Sequence, residues 1–172
     1  DGDDVQIVHV APIKIVRTTV RVVGTSSLIV HAWSVKAKEQ MRMKQQKLAK
    51  TAREARNPEE DFRGAKYLDA QGRDCVPALA FKNAIVSAAR CSDDLKMTVL
   101  RGAVFVVGEL LPINYESCVM REDTVRVGMG AADLRYRPEY TGWSIDLPIE
   151  FNSSVLSASQ IMNLIKLAGF AV

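Results

Sequence analysis

The segment Ile145-Asp146-Leu147-Pro148-Ile149-Glu150-Phe151, followed closely by Ser157-Ala158-Ser159-Gln160, constrains this chain more than any other. Apolar and polar residues alternate through the first stretch with a period of two, the pattern of a strand with one buried face. Pro148 has no N–H to donate, which implies a sheet edge or an outward-facing amide position. The second stretch is a capping box of the S-x-x-Q type. Ile161, Leu164, Ile165 and Ala168 then share one helical face, and Gly169 is the expected stop. A marked strand beside a marked helix points to an α+β fold.

Earlier segments are less regular. Val5 to Val23 is rich in Val, Ile and Thr, and Pro12 breaks it into two strand-like pieces; Gly24 to Ser27 reads as a turn before the apolar run Leu28-Ile29-Val30. From Trp33 to Arg56 nothing breaks a helix, and Ser34 suits its N-cap. Its apolar stripe (Trp33, Ala37, Met41, Leu48, Ala52, Ala55) is thin and interrupted by Lys44, so the helix is expected on the surface or against another subunit. Asn57-Pro58 is read as its end and residues 57–65 as an exposed linker. Lys66-Tyr67-Leu68 and Asp74-Cys75-Val76 flank Gln71-Gly72 as a small hairpin, and Pro77 opens a helix with Phe81, Ala84, Ile85 and Ala88 inside. Lys96 to Val107 is β-branched and expected to be a strand; Met120 to Tyr140 reads as a long loop or irregular hairpin.

Setting aside the long helix and the arginine-rich stretch, the order is β, α, β, β, α. That is a ferredoxin-like or RRM-like split βαβ core lacking its last strand, which Phe170-Ala171-Val172 would begin. A single domain, 1–172, is expected, with an inserted surface helix at 33–56 and an arginine-rich loop or hairpin at 120–140.

Chemistry has little to stand on. His9 and His31 lack metal-ligand spacing, Gly128-x-Gly130 lacks a phosphate-loop context, and no nucleophile elbow occurs. No enzyme activity, catalytic residue, metal or cofactor is expected. Cys75, Cys91 and Cys118 form no C-x-x-C pair, which suits a reducing cytoplasm better than a disulfide framework. No apolar run is long enough to span a bilayer, so no membrane partner is expected.

Binding has more support. The formal charge is only +3, so any nucleic-acid contact must come from local clusters. Lys36 to Arg56 holds eight cations against two carboxylates, of which Lys36, Arg42, Lys44, Lys47, Lys50 and Arg53 are taken as phosphate contacts; a solvated helix face is the competing reading. Arg121, Arg126, Arg135 and Arg137 lie among Tyr136, Tyr140 and Trp143, a mixture that suits phosphates and unpaired bases. Within it Arg135, Tyr136 and Arg137 are the preferred contacts, and Trp143 is read as core.

The run Val76-Pro77-Ala78-Leu79-Ala80-Phe81-Lys82, continuing as an alanine-rich helix to Arg90, resembles the strand–Pro–small–small–Lys–helix–Arg element of the RAMP superfamily, RRM-like proteins that form the RNA-binding backbone of CRISPR effector complexes. The resemblance implies an RRM-like fold and adds Lys82 and Arg90 as nucleic-acid contacts. The family's glycine-rich loop after its last helix has no counterpart here. Arg121-Glu122-Asp123 through Tyr140, with Gly24 to His31 and the Pro77 helix, is also similar to an uncharacterised family from tailed-phage genomes. Together these lead to the expectation of a phage protein that coats or holds single-stranded DNA or RNA as a homo-oligomer or filament in the host cytoplasm. The alternative is a phage assembly protein with no nucleic-acid contact.

Overall fold

The computed structural model describes residues 12–48, 55–92, 95–126, 128, 130 and 132–171. Along the chain run β1 (Ile15–Val23), β2 (Leu28–Ile29), α1 (Val35–Gln45), α2 (Pro58–Gly64), β3 (Tyr67–Leu68), β4 (Asp74–Pro77) and α3 (Ala78–Ala88). A 3-10 turn, Ala89–Cys91, leads to α4 (Met97–Ala103), β5 (Val104–Val106), β6 (Leu110–Pro112), β7 (Ser117–Arg126), β8 (Ala132–Thr141), β9 (Ser144–Asn152) and α5 (Ala158–Ala171). The fold is mixed α+β, with three small antiparallel sheets ordered β1-β9-β5, β2-β8-β7 and β3-β4-β6. Two compact units divide it. The described parts of Asp1–Thr18, Phe81–Val107 and Pro148–Val172 form one; those of Thr19–Ala80 and Gly108–Leu147 form the other.

In the first unit Val104 pairs with Phe151 and Val106 with Ile149, and all four are buried along with Ile85, Leu100, Ile161 and Leu164. The capping box of α5 is formed in both directions. Ser157 N–H donates to Gln160 Oε1 at 2.9 Å, and Gln160 N–H to Ser157 Oγ at 3.2 Å. Gly169 does not stop this helix, which runs on to Ala171, because Gly169 does not take the left-handed backbone that a glycine stop requires. The expected strand over 96–107 is mostly α4, whose buried residues, Leu100 and Ala103, are spaced three apart; only Val104–Val106 are extended.

Pro148 is not at a sheet edge, since β9 is the middle strand of its sheet. Its carbonyl accepts from Val107 N–H at 2.9 Å, and with no N–H to return, the ladder to β5 stops there.

In the second unit the expected hairpin is present, with Tyr67 opposite Cys75 and Leu68 opposite Asp74, and Gly72 takes φ 78° in its turn. The segment 57–65 is not a linker. Asn57 Oδ1 caps it by accepting from Glu59 N–H at 3.1 Å, Pro58 starts it, and Glu59, Glu60 and Asp61 fill a first turn where carboxylates favour the helix dipole.

The long helix expected over 33–56 starts at its Ser34 cap but ends at Gln45. Lys47 turns left-handed at φ 55°, and the closing bonds run from Lys47 N–H to Lys44 O at 3.2 Å and from Leu48 N–H to Met43 O at 3.0 Å. That is a Schellman stop built without glycine. Residues 49–54 lie outside the described residues.

The arginine-rich stretch forms a regular hairpin, pairing without interruption from Ser117–Thr141 to Arg126–Ala132.

Candidate nucleic-acid interface

The register of β7 and β8 sets Arg121 directly opposite Arg137 and Asp123 opposite Arg135. Residues that face each other across an antiparallel pair share one side of it, so these arginines lie on one face with Asp123, Asp133 and Glu139. Arg121 reaches Asp123 at 2.8 Å and Glu139 at 3.3 Å, Arg135 reaches Asp133 at 2.9 Å, and Arg137 lies 3.5 Å from Asp123. Arg56 joins from outside the hairpin, donating to Asp133 Oδ1 at 2.6 Å and to the Leu134 carbonyl at 2.7 Å. Its Nε lies 3.3 Å from Asp61 Oδ2 without the alignment of a hydrogen bond. Four guanidinium groups thus stand among four carboxylates. An incoming phosphate must displace carboxylates here, which favours modest, salt-sensitive affinity.

This face borders a pocket of about 280 Å3 whose lining includes Ala32, Gly64 and Ala65 together with His31, Trp33, Arg56, Asp61, Arg135 and Arg137. The α2 helix carries Asp61 to one wall; the segment between β2 and α1 carries His31 and Trp33 to another. The Trp33 indole is 62% exposed, leaving area for a flat ligand to cover. Burial, then the charges of Arg137 and Arg135, hold the His31 imidazole below its ordinary value, against a smaller pull from Asp61.

Of the residues expected from sequence, Arg135 and Arg137 meet at this pocket and Arg121 lies on the same hairpin face. Tyr136 also lines the pocket and lies across from Glu122 in the hairpin. Arg126 is exposed near the hairpin tip. Arg42, Lys44 and Lys47 are exposed on and just after α1 and do not line the pocket. Lys50, Arg53 and the side chain of Lys36 lie outside the described residues. Lys82 and Arg90 belong to the other unit. There the Lys82 ammonium lies 5.7 Å from the Phe105 ring centre, and Arg90 donates to Met97 Sδ at 3.4 Å.

Sequence reasoning missed Trp33, His31 and Asp61 as site residues, and Arg56 as a pocket residue. They come from segments far apart in the chain, and only Asn-Pro-Glu-Glu-Asp, a helix-start signal, pointed to the wall that carries Asp61.

Tyr140 is no stacking ring, being fully buried. Its ring lies 5.0 Å from that of Tyr115, whose hydroxyl donates to Asp74 Oδ2 at 2.8 Å. The Tyr140 hydroxyl makes no aligned hydrogen bond among the described residues, although Asp74 and Cys118 lie near it; burial, then the charge of Asp74, pushes it far up. Trp143, expected in the core, is half-buried. It donates from Nε1 to the Ser26 carbonyl at 2.8 Å and packs against Gly24.

No family model, curated protein or solved structure matches this chain. Among the described residues no group of three or more His, Cys, Asp or Glu side chains could hold a metal ion, and no helix is long and apolar enough to cross a membrane.

Proposed function

We propose that the β7–β8 face and its pocket bind single-stranded nucleic acid, each subunit holding a short stretch of strand and performing no catalysis on it. The pocket carries this reading, because it joins Arg135 and Arg137 to an open indole. Single strands present both phosphates and unstacked bases, whereas a duplex hides its base faces. The reading keeps an RRM-like core of RAMP type, a tailed-phage origin and an oligomer in the host cytoplasm as its setting. Fluorescence anisotropy of labelled single strands and duplex DNA at low and near-physiological salt tests it. Salt-sensitive binding to a single strand, with duplex much weaker, supports it; no binding to either at low salt overturns it.

A phage assembly role is favoured by a different observation. Trp33, Val35, Met41 and Leu48, on and around α1, are between 41% and 72% exposed, an apolar surface suited to another subunit. Charged substitution of Met41 or Leu48 that dissolves oligomers, in a protein with no strand affinity, would establish that role instead.

A further inference from the structure

Two buried polar atoms of pocket-lining side chains lack an aligned hydrogen bond among the described residues: a donor, Arg137 Nε, and an acceptor, Asp61 Oδ2, whose one charge contact is Arg56 Nε at 3.3 Å. Such orphans are rare in folded proteins and carry a desolvation cost, so a pair of opposite kinds in one pocket calls for an explanation. Neither side chain is sealed off: Asp61 is 38% and Arg137 28% exposed, and both line the pocket. A ligand that satisfies both must offer an acceptor to the guanidinium and a hydroxyl or amino donor to the carboxylate. A bare phosphate or sulfate would meet the carboxylate unfavourably. The volume, about 280 Å3, has room for one small unit of a strand, and the exposed Trp33 indole offers its base a stacking partner.

We infer that the pocket seats one ribonucleotide of the bound strand, with Arg137 on its phosphate, Trp33 against its base, and Asp61 accepting from its ribose 2′-hydroxyl. Asp61 thereby selects the sugar, and the strand is RNA. A carboxylate is suited to this choice because it accepts from a hydroxyl and has nothing to gain from the hydrogen that replaces it in DNA. The inference rests on the single-strand reading above and adds the sugar to it.

The test compares an oligouridylate with the oligodeoxyuridylate of equal length, so that the sugar alone differs, by anisotropy on the wild type and on Asp61→Ala. The wild type should prefer the ribose strand about tenfold, as one charge-assisted hydrogen bond allows. In Asp61→Ala the ratio should fall close to one while both strands still bind, since Arg135 and Arg137 remain at the pocket. Equal affinities in the wild type, or a preference that survives in Asp61→Ala, would overturn the inference and leave the single-strand reading intact. Failure of both strands to bind the wild type at low salt would overturn that reading and this one together. Should circular dichroism show Asp61→Ala unfolded, competition by uridine monophosphate against deoxyuridine monophosphate on the wild type decides, equal competition being the adverse result.

Discussion

Lys66 Nζ lies 3.0 Å from Asp74 Oδ2, with the lysine side chain 19% and the aspartate 6% exposed. The pair joins the turn after α2 to the first residue of β4. Burial opposes the Lys66 charge, yet its hydrogen bond to Asp74 and the charge of Asp74 outweigh it, so the ammonium is held above its ordinary value. Asp74→Ala strands a cation in a part-buried site and should cost about 3 kcal/mol of unfolding free energy, read from the urea midpoint. A loss below the resolution of the method would mean Lys66 escapes to water.

Tyr140→Phe should behave in the opposite way. Removing a buried hydroxyl that makes no aligned hydrogen bond costs little, so stability at pH 7 should be unchanged or up to about 1 kcal/mol greater. A group whose folded pKa is raised contributes stability that is complete below its unfolded value, near 10 for tyrosine, and lost as pH rises beyond it. Tyr140 and Tyr115 are both raised, Tyr140 mainly by burial and Tyr115 mainly by its hydrogen bond to Asp74. Wild-type stability should therefore fall above about pH 10, and Tyr140→Phe should flatten that fall.

Arg137→Ala removes the guanidinium whose Nε lacks a partner and should weaken strand binding by about tenfold, reducing the salt slope by about one unit. Arg135→Ala should cost less, because Asp133 already holds that side chain. Titrations over a salt series separate a lost phosphate contact from a general loss of folding.

His31 gives binding a pH dependence. Unbound, it is held low by burial, Arg137 and Arg135, and a phosphate in the pocket would offset those two cations. Its pKa should then rise on binding, so affinity should increase as pH falls from about 7 to about 5. His31→Gln should remove the increase; persistence in that variant would assign it to another group.

Gly24→Ala should destabilise the protein by about 2 kcal/mol. A methyl there would overlap the Trp143 indole, and Gly24 N–H donates to the Trp143 carbonyl at 2.9 Å, so the two backbones are tied and cannot separate freely. A thermal melt close to wild type would show that the indole swings aside.

Local signals made α5 and the β3–β4 hairpin legible in the sequence, because a capping box and a Gln-Gly turn act over a few residues. Asn57-Pro58 was legible but ambiguous. The dipeptide ends one helix as readily as it starts the next, and the acidic turn after it decides for a start. The end of α1 was hidden because its stop depends on the backbone of Lys47, a residue that rarely turns left-handed. At the pocket, the strand residues Arg135 and Arg137 were readable from composition. Trp33, Arg56 and Asp61 join them only through long-range pairing, and no local pattern encodes that.

Pro148 has a consequence for the chain before it folds. Ile145 to Phe151 alternates cleanly between apolar and polar residues, and the apolar face of such a strand can pair with other copies when exposed during synthesis. Each stacked copy would miss a hydrogen bond at the proline, a defect repeated along any growing aggregate. In the folded sheet the same gap falls where β5 has already ended, so the safeguard against aggregation removes only one return bond from the native ladder.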